Sequence, residues 1–229
     1  MKLFIQISIY FSTLYSFGKE TIDYKIFFKD EIIEANNYLK NTSQLFDHSC
    51  KKYKHSKKEI TAIIYPELLR YNYFKDFIET SSLELIYVNF GPKVADFSIG
   101  HFQMKPSFVE QIEKQIQSDE SLFKKYKSLI IKGKNKRLVR INRLKSTHWQ
   151  LIYLHAFVDL CQIKFPFLKK ESQNNKIHFL AACYNIGFNY SLEHIKKRSH
   201  LEIFPFGIKY NEKQCCYSAI SCSYFNSKN

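Results

Sequence analysis

The sequence predicts an all-α fold: a single helical domain with a small Cys/Tyr-rich C-terminal tail. Three observations carry this. Only 6 Gly and 5 Pro occur in 229 residues, too few turn-formers to punctuate the short strands of a β-sandwich. Apolar residues recur at i, i+3, i+4 and i+7 in several separate stretches, the period of a helix buried along one side. The composition, 45% hydrophobic and 24% charged, is that of a globular chain and excludes disorder as the main theme.

Taken in order, the chain opens with Met1-Lys2, an apolar and hydroxyl run from Leu3 to Phe17, and small residues at Ser16 and Gly18. Residues 1–18 read as a secretory signal, because the run is shorter than the ~20 residues of a membrane-spanning helix. Residues 19–59 form an N-terminal helical segment, with Ile22, Ile26, Phe27, Ile32, Ile33 and Leu39 at mixed helical spacings and Asp30 placed to cap a helix. Cys50 to Lys58 reads as a basic connector.

The main domain is expected over residues 60–203. Ile60, Ile63, Ile64 and Glu67 fall at i, i+3, i+4 and i+7, which puts a carboxylate on an apolar stripe. Pro66 cannot donate to Ala62, so the helix is expected to end, kink or restart there. Lys75 to Asn89 reads as a second helix stopped by Gly91-Pro92. Ala95 to Ser107 has neither period and reads as a structured loop entering a helix at Pro106. Phe108 to Ile131 is helical with a polar break near Ser118. Residues 132–137 are a basic turn, and Leu138 to Cys161 is the longest helical pattern, ended by Phe165-Pro166-Phe167. Ile177, Leu180, Ala181 and Tyr184 mark another helix closed by Gly187, and a short one follows around 192–197. Residues 204–229, rich in Tyr, Ser and Cys, are expected to be turns or a small hairpin packed on the domain. No internal repeat or long linker divides the chain.

A formal net charge of +14 favours an anionic partner. Export moves that expectation away from nucleic acid, for which no interleaved basic and aromatic pattern is present, and towards the anionic material of a cell envelope. The basic run 132–145 reads as a solvated face, or as a contact with such material. Export also permits disulfides among Cys50, Cys161, Cys183, Cys215, Cys216 and Cys222, a stapled tail included, with the pairing left open. No metal site is expected, since no CxxC or paired-His spacing accompanies the cysteines. His101, His148, His155 and His178 read as structural or exposed.

Three separated elements carry the chemistry: Glu67 on its stripe, Gly100-His101-Phe102-Gln103-Met104-Lys105-Pro106-Ser107, and Ala181-Ala182-Cys183-Tyr184-Asn185-Ile186-Gly187. In order and character they resemble the lytic transglycosylases and goose-type lysozymes of the lysozyme-like superfamily, over roughly Ile60 to Ile195. In that superfamily a helix delivers a catalytic Glu, a Gly-Leu-Met-Gln-apolar-x-Pro-Ser/Thr stretch follows, and an Ala-x-Ala-Tyr-Asn-Ala-Gly helix end closes the site. The chain departs from it in Leu68, where Ser usually follows the Glu, in Pro66, in the added Cys183, and in the long interval from Glu67 to Gly100.

The resemblance implies a peptidoglycan lytic transglycosylase that cuts between N-acetylmuramic acid and N-acetylglucosamine. Glu67 would be both acid and base, the product a 1,6-anhydro sugar, and no cofactor would be needed. Burial against Ile60, Ile63 and Ile64 would raise the Glu67 pKa into the useful range; the plainer expectation is a carboxylate paired with Arg70. Ser98, Gly100, Phe102, Gln103 and Met104 would bind sugar through side chain or backbone, Tyr184 would direct its hydroxyl to Glu67 or pack in the core with its hydroxyl satisfied, and Asn185 would contact sugar or loop. Asp96 is a candidate second carboxylate that would order a water and make the enzyme a hydrolysing lysozyme, or it bonds loop amides. A non-catalytic peptidoglycan-binding protein is the alternative outside the enzymes. Glycan strands of peptidoglycan are the expected partner, and the periplasm or the exterior the expected place.

Overall fold

A computed structural model describes residues 23–78, 81–205 and 214–227, with the side chains of residues 72–83 left aside. The expected export signal, residues 1–18, lies outside the described residues, as do Thr21 and Ile22. The described residues form an all-α fold of twelve helices and one two-stranded ribbon.

Residues 23–59 are three helices, α1 (Tyr24–Phe27), α2 (Lys29–Asn41) and α3 (Ser43–Tyr53). Asp23, not Asp30, acts as a cap here: its carboxylate accepts from the Lys25 amide. Asp30 sits inside the first turn of α2, where a negative charge favours the helix dipole. The expected connector from Cys50 to Lys58 is corrected to a much shorter joint. Helix α3 runs to Tyr53, stops at Lys54 in a left-handed conformation (φ 61°), and α4 (Lys57–Ile78) begins almost at once.

Helix α4 is the axis of the molecule and passes through Pro66 without ending or restarting. Every residue from Glu59 to Leu69 is buried, so the stripe expected there is in fact a helix covered on all sides. That burial offsets the missing amide at Pro66, which in an exposed helix costs about 3 kcal/mol. Helix α5 (Ser81–Phe90) ends at Gly91, whose φ of +83° suits glycine.

Pro106 is the first residue of α6 (Pro106–Ser118), and Asp119 then caps α7 (Glu120–Tyr126) through the Leu122 amide. The long pattern from Leu138 to Cys161 divides in two: α8 (Lys136–Leu144) and α9 (Thr147–Lys164). The two pieces differ in kind: α8 is basic and buries one side, Arg140, Ile141 and Leu144, while α9 is an apolar interior helix. The buried residues of α9 cover its whole circumference, as in an interior helix. Helix α10 (Gln173–Ile186) is capped by Ser172 and stopped by Gly187, and α11 (Leu192–Arg198) is capped by Ser191.

The tail is more ordered than turns. Strand β1 (Glu202–Phe204) pairs antiparallel with β2 (Cys215–Cys216), and a ten-residue helix, α12 (Tyr217–Asn226), follows. It packs against α4 and α10, with Tyr217, Ser218, Ile220 and Ser221 buried. All six cysteines are free; the tail is held by this packing and not by the expected disulfide staple. No described helix is long and apolar enough to cross a membrane.

Candidate active site

A cleft of about 900 Å³ opens where α4, the loop before α6, and the end of α10 converge. Glu67 reaches it from α4 and is only 5% exposed. Burial pushes its carboxyl above the usual carboxylate range, against the opposing pull of Arg70, Lys105 and Tyr217. Arg70 lies one turn along the same helix. Its Nε is 3.0 Å from Glu67 Oε2, close enough for an ion pair but not aligned as a hydrogen bond, and its guanidinium also lies 5.8 Å from the centre of the Phe204 ring.

The second wall is a tight turn. Ile99 and Met104 exchange backbone hydrogen bonds of 3.0 and 3.2 Å, and the Gln103 amide donates to the Gly100 carbonyl at 2.9 Å. Gly100 (φ +70°) is required twice over. A Cβ there would stand 2.5 Å from the Leu144 carbonyl and from Gln150 Nε2. Gln150, buried on α9, clamps the turn: its Nε2 donates to the Ile99 carbonyl at 2.7 Å, and its Oε1 accepts from the Phe102 amide at 3.3 Å.

Gln103 has a positive φ of 49°. Its Nε2 donates to the Gly100 carbonyl and its Oε1 is buried with no partner; the residue lines the cleft. A buried acceptor without a donor is a feature that a functional role can explain.

Several expected site residues stand differently. Both polar backbone groups of Phe102 are taken, the amide by Gln150 and the carbonyl by the Tyr184 hydroxyl at 2.6 Å, and its ring is fully buried beside Phe46. Phe102 therefore supports the turn from behind. Tyr184 was expected to aim at Glu67; its hydroxyl instead donates to Phe102, which ties α10 to the turn. Met104 lines the cleft but likewise spends its backbone groups on Ile99. Gly100 is not on the cleft wall. Asp96 is, yet its two oxygens accept from the Ser107 amide (2.9 Å) and hydroxyl (2.6 Å), tethering the loop to the first turn of α6. Ser98 and Asn185 line the cleft as expected.

Other residues join the site without having been singled out. Tyr217, at the start of α12, donates its hydroxyl to the Ile63 carbonyl at 3.1 Å and works against the upward push of burial on the Glu67 carboxyl. Lys105 adds a second positive charge to the mouth. Tyr190, 51% exposed, stacks on His194 at 4.4 Å and presents a flat ring to the cleft. A polar residue amid the apolar run of α9 was a readable sign for Gln150; Tyr217 left none. His101, read as structural or exposed, is sandwiched between Tyr38 and Tyr71 at 4.0 and 4.1 Å.

Chemically, the arrangement offers one carboxyl whose pKa burial raises, in a cleft with cations at hand, and a buried amide oxygen without a donor. Among the described residues no group of three or more His, Cys, Asp or Glu converges to hold a metal ion. In comparisons with protein-family models, with curated proteins and with solved structures, the chain matches none.

Proposed function

We propose that this chain is an exported peptidoglycan-cleaving enzyme of lysozyme-like kind, acting as a lytic transglycosylase with Glu67 as its acid and then its base. The observation that carries the reading is Glu67 itself: a carboxyl 5% exposed, shifted upward by burial, and lining an open cleft. Burial favours the protonated form of such a group, the form that can deliver a proton to a leaving glycosidic oxygen. The Tyr217 hydroxyl is held by the Ile63 carbonyl beside the carboxyl and, with Arg70, limits the rise that burial imposes on Glu67.

The second half of the reaction needs no second carboxylate. Once the glycosidic bond breaks, the ionised Glu67 takes a proton from the C6 hydroxyl of the same sugar. That oxygen closes on C1 to give the 1,6-anhydro end. Asp96 fits this better than it fits water activation, because Ser107 engages both of its oxygens. Gln103 Oε1 supplies an acceptor for an N-acetyl N–H or a hydroxyl, and Arg70 and Lys105 suit a substrate that carries carboxylates.

One observation favours a second reading, a glycan-binding protein without turnover: the Arg70–Glu67 contact at 3.0 Å would hold the carboxylate ionised and inert. Digestion of purified peptidoglycan, with mass analysis of the soluble products, separates the readings. Anhydro ends that disappear in Glu67→Gln are the expected result. Reducing ends would make the enzyme a hydrolase, and pelleting with the polymer without soluble product would make it a binder.

A further inference from the structure

A surface elsewhere on the molecule has a character that the cleft does not use. Helix α8 turns Arg140, Ile141 and Leu144 inward, and Arg137 at its start clamps α5 by donating to the carbonyls of Val88 (3.2 Å) and Asn89 (3.0 Å). Gly91 lies directly against that guanidinium. Around the clamp, large apolar side chains face solvent: Leu85 is 61% exposed, Phe90 67%, Val94 65%, Leu138 45% and Val139 36%. Lys93, Lys132, Lys134 and Lys136 are exposed among them, and neither 85–94 nor 130–139 contains an acidic residue.

We infer that this α5–α8 face docks on an anionic lipid bilayer. A surface that is cationic and also exposes aromatic and aliphatic side chains matches a bilayer interface, where headgroup charge meets the lysines and the acyl boundary receives the apolar residues. An anionic polymer would satisfy the lysines and leave Phe90, Val94 and Leu138 in water. A second copy of the chain would set the same positive charges against each other. The face adjoins the cleft: only Ala95 separates Val94 from Asp96 on the cleft wall. Docking would therefore hold the cleft beside the membrane surface. The inference does not depend on what the cleft does.

Co-sedimentation of the full chain with vesicles of phosphatidylcholine containing phosphatidylglycerol, against phosphatidylcholine alone, tests it. Binding should require the anionic lipid and weaken with salt. Lys132→Gln/Lys134→Gln/Lys136→Gln should lower partitioning on the order of 100-fold, at about fivefold for each basic residue near such a surface. Phe90→Ser/Val94→Ser/Leu138→Ser should lower it at least about tenfold. Hydrogen exchange on the wild-type chain should show protection by anionic vesicles within 85–94 and 130–139, a readout that needs no variant to fold. Equal binding to neutral vesicles, full binding by the serine variant, or unchanged exchange in those two stretches would each overturn the inference. Full binding by the serine variant would assign the face to a soluble polyanion.

Discussion

Glu67 and Glu113 are equally buried, each 5% exposed, but the protein treats them in opposite ways. Glu113 on α6 is gripped by Arg140 through two bonds, Nε to Oε1 at 3.2 Å and a terminal nitrogen to Oε2 at 2.6 Å, and Tyr153 donates to Oε1 at 2.6 Å. Arg140 also holds Glu110, and Tyr87 completes the set, so four helices meet on one saturated network. Glu67 has an ion-pair neighbour out of hydrogen-bond alignment and an Oε2 with no hydrogen-bond partner. Burial being equal, the number of aligned partners distinguishes a carboxylate that fastens helices from one poised for chemistry.

The sharpest challenge to this contrast is a pair of variants with opposite effects. Glu67→Gln should lower peptidoglycan cleavage about 1,000-fold, as expected when an acid catalyst is removed, with an unchanged circular-dichroism spectrum. Arg140→Met should cost about 3–5 kcal/mol in urea unfolding, because it leaves buried carboxylates without their cation. If Glu67→Gln unfolds the chain as readily as Arg140→Met does, the contrast fails.

A smaller effect is expected at the clamp. Gln150→Leu removes two buried hydrogen bonds from the turn, for about 2 kcal/mol. Gly100→Ala, which forces a methyl group towards the Leu144 carbonyl, should be at least as damaging. Activity should fall further than global stability in Gln150→Leu, since the turn shapes the cleft; equal losses would mean that Gln150 serves packing alone.

Arg70→Gln tunes Glu67 without removing it. Burial raises the carboxyl and Arg70 opposes that rise, so taking the cation away should move the alkaline limb of the activity profile to higher pH. A shift to lower pH would show that Arg70 does not act on Glu67 by charge.

The last test concerns a third buried cluster and is read against pH. His155, fully buried, faces His55 nitrogen to nitrogen at 2.7 Å, and His55 contacts Asp159 at 3.0 Å. Burial and the neighbouring His55 push the His155 pKa down to about 3. The unfolded chain therefore takes up a proton near the ordinary value of about 6.5 that the folded chain refuses. Stability should decline as pH falls from about 6.5 towards 3, and the slope should flatten in His155→Gln when urea midpoints are followed against pH.

Much of the fold was legible because its signals are local. Gly187 stops α10 and the polar break near Ser118 divides α6 from α7 within a few residues of themselves, and Pro106 announces α6. Glu67, Ser98, Gln103 and Asn185 came to the cleft from short motifs for the same reason. What stayed hidden depends on distant partners. The direction of the Tyr184 hydroxyl is decided by a carbonyl on another element. Helix α12, Tyr-Ser-Ala-Ile-Ser-Cys-Ser-Tyr-Phe-Asn, has no clear stripe because it gains its order by packing on α4 and α10. The continuity of α4 through Pro66 is likewise a product of burial, which no local rule about proline contains.

The contact between Tyr217 and Ile63 joins residues 154 positions apart. It ties α12 to the helix that carries Glu67. The turn beneath the carboxyl is therefore held by a segment remote from it in sequence, and a change in α12 can reach the site without touching the cleft wall.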